Sequence, residues 1–554
     1  MPTHIMKNTP AYRYLPWTLG GILCALVVGR YMALSSNDAD LGIFLNNFAN
    51  IDSQWPRAFS GHVQPLMFLW GAGFQALPAS IAPLALVTLQ SLALLGSVVA
   101  IWRVFGDWPG IAMLLYYPLW ANALFDFHFD HLAVPLLAVF FIACEWRRYG
   151  WATLAAATLI LVKEPFSLQT VACGLYLGWL AFHLRGLGVS VRLVLFGALL
   201  ALLGAGWFFG ATLWLIPYFG DGGPGVMQSE AFSWLGSSLS EMVWTLVSRP
   251  DRVLAEIFSR PGKLVYLGVI FGLLAFLPLL RPAALIVALP LLMIAMLSRQ
   301  DNYYSYANHY TAGVIVPVIV AFRDGLSTAR SYFASLVEWF MSKLERHPLP
   351  LPTFSTWKKA FIWAAAKDGQ IFSVVLLGWL LAGHWAFASS PISRLFWSDK
   401  VWSYSWHAYV PTGREFMMKE AMLKYIPADP DVKITTQNTV NWYHLAYRKV
   451  YLPFPLGVDT PHRVTDWSNR DLPGLWQYVR TGDMPPAITH DSYADYVVLD
   501  LKRPWFIIDK GCDWLYGACR NDEMAVKFLR LVGETQQRYS TVFERDGFMI
   551  LRRK

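Results

Sequence analysis

Apolar stretches separated by brief polar turns fill the chain from Leu15 to Ala388. Their lengths suit helices that cross or nearly cross a bilayer. The first runs from Leu15 to Leu34, behind Lys7 and Arg13. Its length, and the spans that follow, mark it as a retained anchor rather than a cleaved signal peptide. Further spans are expected at Pro83 to Val104, Gly110 to Leu124, Leu132 to Cys144, Trp151 to Val162 and Phe166 to Leu184. The series continues at Leu193 to Ile216, Leu264 to Leu280, Ala283 to Leu297, Tyr310 to Phe322 and Ile371 to Ala388. The expectation is a mainly α polytopic membrane protein of about eleven transmembrane helices. Tyr218 to Pro261 reads as a polar loop, and Pro65 to Leu77 as either a span or an interfacial helix.

After Ser389 the apolar runs shorten, and Asp, Asn, Arg and Pro recur. Val432 to Thr436, Lys449 to Leu452, Tyr496 to Leu501 and Thr541 to Leu551 read as strands, and Glu415 to Tyr425 and Glu523 to Leu531 as helices. The chain therefore divides into a multispanning part, residues 1–388, and a soluble α/β domain, residues 389–554.

Composition agrees. With 55% hydrophobic and 15% charged residues, the chain is too apolar for a soluble protein of this length. The net charge of +8 is no nucleic-acid signal, because Lys and Arg gather in the loops that a positive-inside reading makes cytoplasmic. The densest basic block is Arg323 to Lys367. That reading puts the N-terminus in the cytoplasm and the C-terminal domain outside. There a disulfide is permitted, and Cys512 and Cys519 are close enough in sequence to form one.

The chemistry-bearing residues all fall at the outer ends of spans. Asp38 and Asp40 follow the first, as loop or capping carboxylates or, for Asp40, a general base. The run FDFHFDH joins two short spans and offers Asp126, His128, Asp130 and His131 for acid, base or substrate contacts. A divalent ion on Asp126, His128 and Asp130 is an alternative, though their spacing matches no strict metal motif. Lys163-Glu164 is either an ion pair capping a hairpin or a cationic partner for a phosphate beside a carboxylate. His309 and Tyr310 enter a late span. Polar groups at membrane depth are costly and usually functional, so this one-sided gathering points to a cavity facing away from the cytoplasm. No P-loop, no GxGxxG opening a helix after a strand, no HExxH and no GxSxG is present, which argues against a nucleotide-driven machine.

Five short motifs together resemble the bacterial membrane family called domain of unknown function 2079. They are Asp40-Leu41-Gly42-Ile43-Phe44, His62-Val63-Gln64-Pro65, Phe125-Asp126-Phe127-His128, Val162-Lys163-Glu164 and His309-Tyr310. Phe129 and Pro165 depart from the pattern, where proline and an acidic residue are expected. That family in turn resembles the C-type glycosyltransferase superfamily, multispanning enzymes that use polyprenyl-phosphate sugars. The resemblance implies an inverting membrane glycosyltransferase in the bacterial inner membrane, with an envelope glycan, lipid or protein as acceptor. It makes Asp40 the base, with Asp126 and His128 also catalytic. Lys163 would contact donor phosphate, with Glu164, His62, Asp130, His131, His309 and Tyr310 as further substrate contacts. No nucleotide or redox cofactor is implied. The other classes open to such a chain are a transporter or lipid flippase, with midplane polar residues and internal repeats, and a non-catalytic envelope scaffold.

Overall fold

The structure is a computed structural model that describes residues 10–36, 41–51, 59, 62–184, 187–219, 231–307, 309–346, 370–398, 405–437, 440–454, 457–458, 493–503, 508–509, 519–520 and 522–554. Asp38, Asp40 and Cys512 lie outside these residues, as do the side chain of Cys519 and the end of the basic block after Arg346.

The apolar runs fold as helices. α1 (Pro10–Met32) is followed by the short α2 (Ile43–Ala49) and α3 (Leu66–Gln75). α3 has ten residues and rises only about 15 Å, too little to span a bilayer, which favours the interfacial reading of Pro65 to Leu77. α4 (Ala82–Phe105) is a full-length apolar helix. The expected span Gly110 to Leu124 is two helices, α5 (Asp107–Leu115) and α6 (Tyr117–Phe125), broken at Tyr116. Pro118 explains the break, since it supplies no N–H to a continuing helix. α7 (Ala133–Glu145) is the central helix, with Val134, Leu137, Ala138, Phe140 and Phe141 all buried. α8 (Tyr149–Thr158) precedes α9 (Pro165–His183), which packs closely against α10 (Leu187–Gly210).

The segment expected as a polar loop carries two helices, α11 (Leu239–Ser248) and α12 (Pro250–Phe258). The Ser238 hydroxyl caps α11 by accepting the Glu241 N–H. Val243, Trp244, Val247, Leu254 and Phe258 are exposed apolar side chains along this pair, while Glu256 is buried beneath Arg260 and Arg299. An apolar face opposite a charged one suits helices lying in a membrane interface. The sequence reading missed them because their apolar residues follow a helical period without forming a continuous run.

α13 (Pro261–Leu267) continues through a π turn to a left-handed break at Ala275 and Phe276, so the expected span to Leu280 is interrupted. α14 (Leu285–Leu297) precedes α15 (Ala312–Arg346). α15 runs far beyond the expected end at Phe322. At 35 residues it rises about 52 Å, so its last turns, with Lys343 and Arg346, reach past a hydrocarbon core of about 30 Å. α16 (Gln370–Phe387) closes the helical part.

Among the described residues, four helices are long and apolar enough to cross a membrane: Tyr14–Met32, Ala82–Phe105, Val191–Phe219 and His309–Leu336. The other expected spans are shorter, broken or less apolar helices, and the count of eleven crossings is a proposal.

Among the described residues beyond 389, α17 (Gly413–Tyr425) and α18 (Asp522–Arg538) accompany seven short strands. They are β1 (Ile434–Thr436), β2 (Tyr451–Pro453), β3 (Tyr496–Asp500), β4 (Ile508–Asp509), β5 (Cys519–Arg520), β6 (Tyr539–Arg545) and β7 (Phe548–Arg553). Five form one sheet in the order β2-β1-β3-β7-β6, parallel at β2-β1-β3 and antiparallel at β3-β7-β6. The expected single strand Thr541 to Leu551 is a hairpin. Asp546 and Gly547 both have positive φ, the two-residue turn that matches strand twist.

Candidate active site

The site grows from two turns that interrupt apolar helices. In the first, α6 ends at Phe125, the chain runs extended, and a 3-10 turn over Phe129–Leu132 leads into α7. Gln90 of α4 holds this turn from both sides. Its amide donates to the Asp126 carbonyl at 3.0 Å and accepts the His128 N–H at 3.1 Å. The clamp sends the two aspartates in different directions. Asp126 faces Arg30 at the end of α1, 3.8 Å away. Asp130 faces inward, 3.0 Å from His128 Nδ1 and 3.7 Å from both Lys163 Nζ and His309 Nε2.

The second turn is Val162-Lys163-Glu164, after a 3-10 segment and before α9. Pro165 fits there because the first helical position needs no N–H donor. The neighbours Lys163 and Glu164 do not serve each other as a cap. Lys163 pairs with Asp130, and its ammonium lies 5.6 Å from the centre of the Tyr310 ring. Glu164 is fully buried, with His62 Nδ1 2.6 Å from one oxygen and the Val63 N–H donating to the other at 3.0 Å. The His62 to Pro65 motif is thereby tied to the Lys-Glu turn, more than a hundred residues away in sequence.

The His128 and His309 rings stack, with centroids 3.7 Å apart and planes 8° from parallel. His131 is buried one residue past Asp130, with neither ring nitrogen hydrogen-bonded. It is not among the residues that line the cleft described next.

That cleft is small. It is lined by the polar side chains of His62, Asp130, Lys163, Tyr303 and Tyr310 together with the apolar ones of Phe166, Leu291 and Ile294. Of the residues nominated from sequence, the structure gathers His62, Asp130, Lys163 and Tyr310 here, stacks His128 and His309 against Asp130, and leaves Asp126 apart with Arg30. Among the described residues, the group of possible metal ligands that comes together does not include Asp126. The side chains that converge are His128, Asp130 and His309, with ligand atoms within 4.8 Å of one another. Sequence reasoning missed Gln90 and Arg30. Gln90 left a signal, a lone amide in the middle of an apolar run.

Residues 30–346 match the family described as predicted membrane protein DUF2079. The chain belongs to this family. The match takes in both turns, the cleft and the sequence positions of Asp38 and Asp40. It ends before the C-terminal sheet, so the family assignment rests on the helical part of this DUF2079 protein. No curated protein matches the chain. Among solved structures, the chain is similar to that of ArnT from Cupriavidus metallidurans in the apo state, with 15% identity over 98% of both chains and a TM-score of 0.43.

Proposed function

We propose that this DUF2079 protein is an inverting membrane glycosyltransferase that takes its sugar from a polyprenyl-phosphate donor on the non-cytoplasmic side. The observation that carries the reading is the cleft itself. Lys163 and His62 line it together with the apolar Phe166, Leu291 and Ile294. A cation beside an apolar wall suits a ligand with an anionic head and a hydrocarbon tail. A soluble sugar nucleotide would find no nucleotide-binding motif in this chain.

In this reading an acceptor hydroxyl gives its proton to Asp40. Its oxygen forms a bond to the anomeric carbon from the face opposite the phosphate. The bond from that carbon to the phosphate oxygen breaks, and the lipid phosphate leaves with the electron pair. Lys163 stabilises the charge that develops on it, in a site that excludes most water. Asp130 holds the ammonium in place, and the Glu164–His62 pair fixes the turn beneath it.

The test is transfer from a radiolabelled polyprenyl-phosphate sugar in reconstituted vesicles. Lys163→Met keeps the side chain's length and removes its charge. Turnover should fall about 10²–10³-fold, the range for loss of one group that stabilises developing charge. Normal transfer by Lys163→Met would refute the phosphate role.

A further inference from the structure

We infer that His62 is a second contact for the donor phosphate, presenting its Nε2–H to the cleft beside Lys163 while Glu164 holds its Nδ1–H. The inference rests on the lipid-phosphate reading of the cleft. It adds the atom, the proton and the residue that positions them.

Three observations carry it. First, Glu164 fixes the ring. It is fully buried, one oxygen accepts the Val63 N–H at 3.0 Å, and His62 Nδ1 lies 2.6 Å from the other. An ionised carboxylate only accepts, so Nδ1 is the donor and carries a proton. Second, the ring is reached from the cleft. His62 lines it with Lys163 and Asp130, and its side chain keeps 30% of its surface exposed, against 4% for each of the other two. Among the described residues the ring hydrogen-bonds to Glu164 alone. Nδ1 is turned to the buried carboxylate, so the opposite edge, with Nε2, is the one a ligand meets. Third, the local charge calls for a cation at His62. Asp130 has Lys163 3.7 Å from one oxygen, whereas no lysine or arginine among the described residues forms an ion pair with Glu164. A buried carboxylate needs a charged partner, and an imidazolium at His62 supplies it.

The arrangement backs each cation with a carboxylate, Lys163 with Asp130 and His62 with Glu164. With a neutral imidazole, two carboxylates would face one ammonium and oppose an anion. With an imidazolium the pairs balance, and Nζ and Nε2 both keep N–H bonds to give. Both side chains line one small cleft, so one phosphate can take a charge-assisted hydrogen bond from each. Glu164 is the positioning residue, because the bond at one ring nitrogen decides what the other presents. The other ionisable groups on the cleft are Asp130, Tyr303 and Tyr310, with His128 against Asp130. Binding favours the protonated ring, so affinity falls as rising pH removes the Nε2 proton.

The experiment titrates the full chain in detergent with a short-chain polyprenyl monophosphate that carries no sugar. Calorimetry reads the affinity at a series of pH values upward from neutral, where the phosphate itself is already ionised, its second pKa being about 6. Wild-type affinity should fall as pH rises. His62→Asn sets an amide N–H where Nδ1 stands, so Glu164 keeps a donor while Nε2 is removed. Near neutral pH it should bind about 10–100-fold more weakly, the loss of one hydrogen bond between charged groups, and its affinity should change little with pH. Wild-type affinity in His62→Asn, or a pH dependence that survives the substitution, would overturn the inference. So would a wild type whose affinity is the same at every pH, a result that no variant's folding affects. No binding of the monophosphate by the wild type would overturn the lipid-phosphate reading itself, and this inference with it.

Discussion

At the residue scale, neighbours in sequence take up different work. Asp126 and Asp130 lie on one turn, yet one faces Arg30 and the other faces Lys163 and two histidines. Lys163 and Glu164 are adjacent, yet one enters the cleft and the other anchors His62 and Val63. The residue types were legible in the sequence; the division was not, because it is set by Gln90 and Arg30 from other helices. The same logic separates Asp38 from Asp40. Both follow α1, and the assignment of Asp40 as base rests on sequence alone. Loss of a general base typically costs about 10²–10⁴-fold in rate. Asp40→Asn should lose transfer on that order while the protein still inserts and binds donor, and Asp38→Asn should be far milder. A dead Asp38→Asn beside an active Asp40→Asn would move the base to Asp38.

At the element scale, close helix packing is what brings the second turn to the first. Helices in lipid associate where small residues let backbones approach. α9 and α10 do so at Gly174 and Gly197, where a Cβ on either would lie 2.4 or 2.6 Å from the other's carbonyl oxygen. A Cβ on Gly204 would meet the Ser167 carbonyl at 2.4 Å. Because α9 begins just after Lys163, spreading this pair would tilt the turn that carries the lysine. Gly174→Leu or Gly197→Leu should destabilise the protein by about 1–3 kcal/mol, the usual cost of overpacking. Thermal unfolding in detergent would read the loss, and Gly178→Ala, with open space at its Cβ, should leave it unchanged. Apolar periodicity gave these elements their existence but not their ends. Tyr116-Tyr117-Pro118 broke one expected span, and Asp546-Gly547 turned one expected strand into a hairpin; both are local signals that a count of apolar residues overrides.

At the scale of the whole molecule, the C-terminal domain grips the end of α1, next to the segment that carries Asp38 and Asp40. Lys419 donates to the Met32 carbonyl at 2.6 Å and Arg503 to the Ala33 carbonyl at 2.8 Å, so two cations sit at the helix C-terminus, where the dipole favours them. Arg503 is itself buried between Glu415 and Asp500, and Arg414 holds Asp500 through two hydrogen bonds of 2.8 and 2.7 Å. Burial pushes the Arg503 pKa down from its usual range, while Asp500 and Glu415 oppose that shift. Removing one partner of such a buried pair costs about 3–5 kcal/mol, because the other charge is left uncompensated. Arg503→Ala should therefore loosen the C-terminal domain, and limited proteolysis should cut it faster than in the wild type. None of this was legible in the sequence, since α1 and Arg503 are separated by most of the chain.

The same grip bears on orientation. If the C-terminal domain holds the outer end of α1, it must lie on the side to which α1 delivers Asp40, and the positive-inside pattern makes that side external. On the same expectation α15, with Arg323, Arg330 and Lys343, would run toward the opposite side, and α16, among the described residues, would lead back before residue 389. Reporter fusions placed after Lys343 and after Lys449 should therefore give opposite signals, cytoplasmic for the first and external for the second. Matching signals would require an even number of crossings between them. α16 would then not be the single crossing between the basic block and the C-terminal domain, and the positive-inside orientation would fall with it.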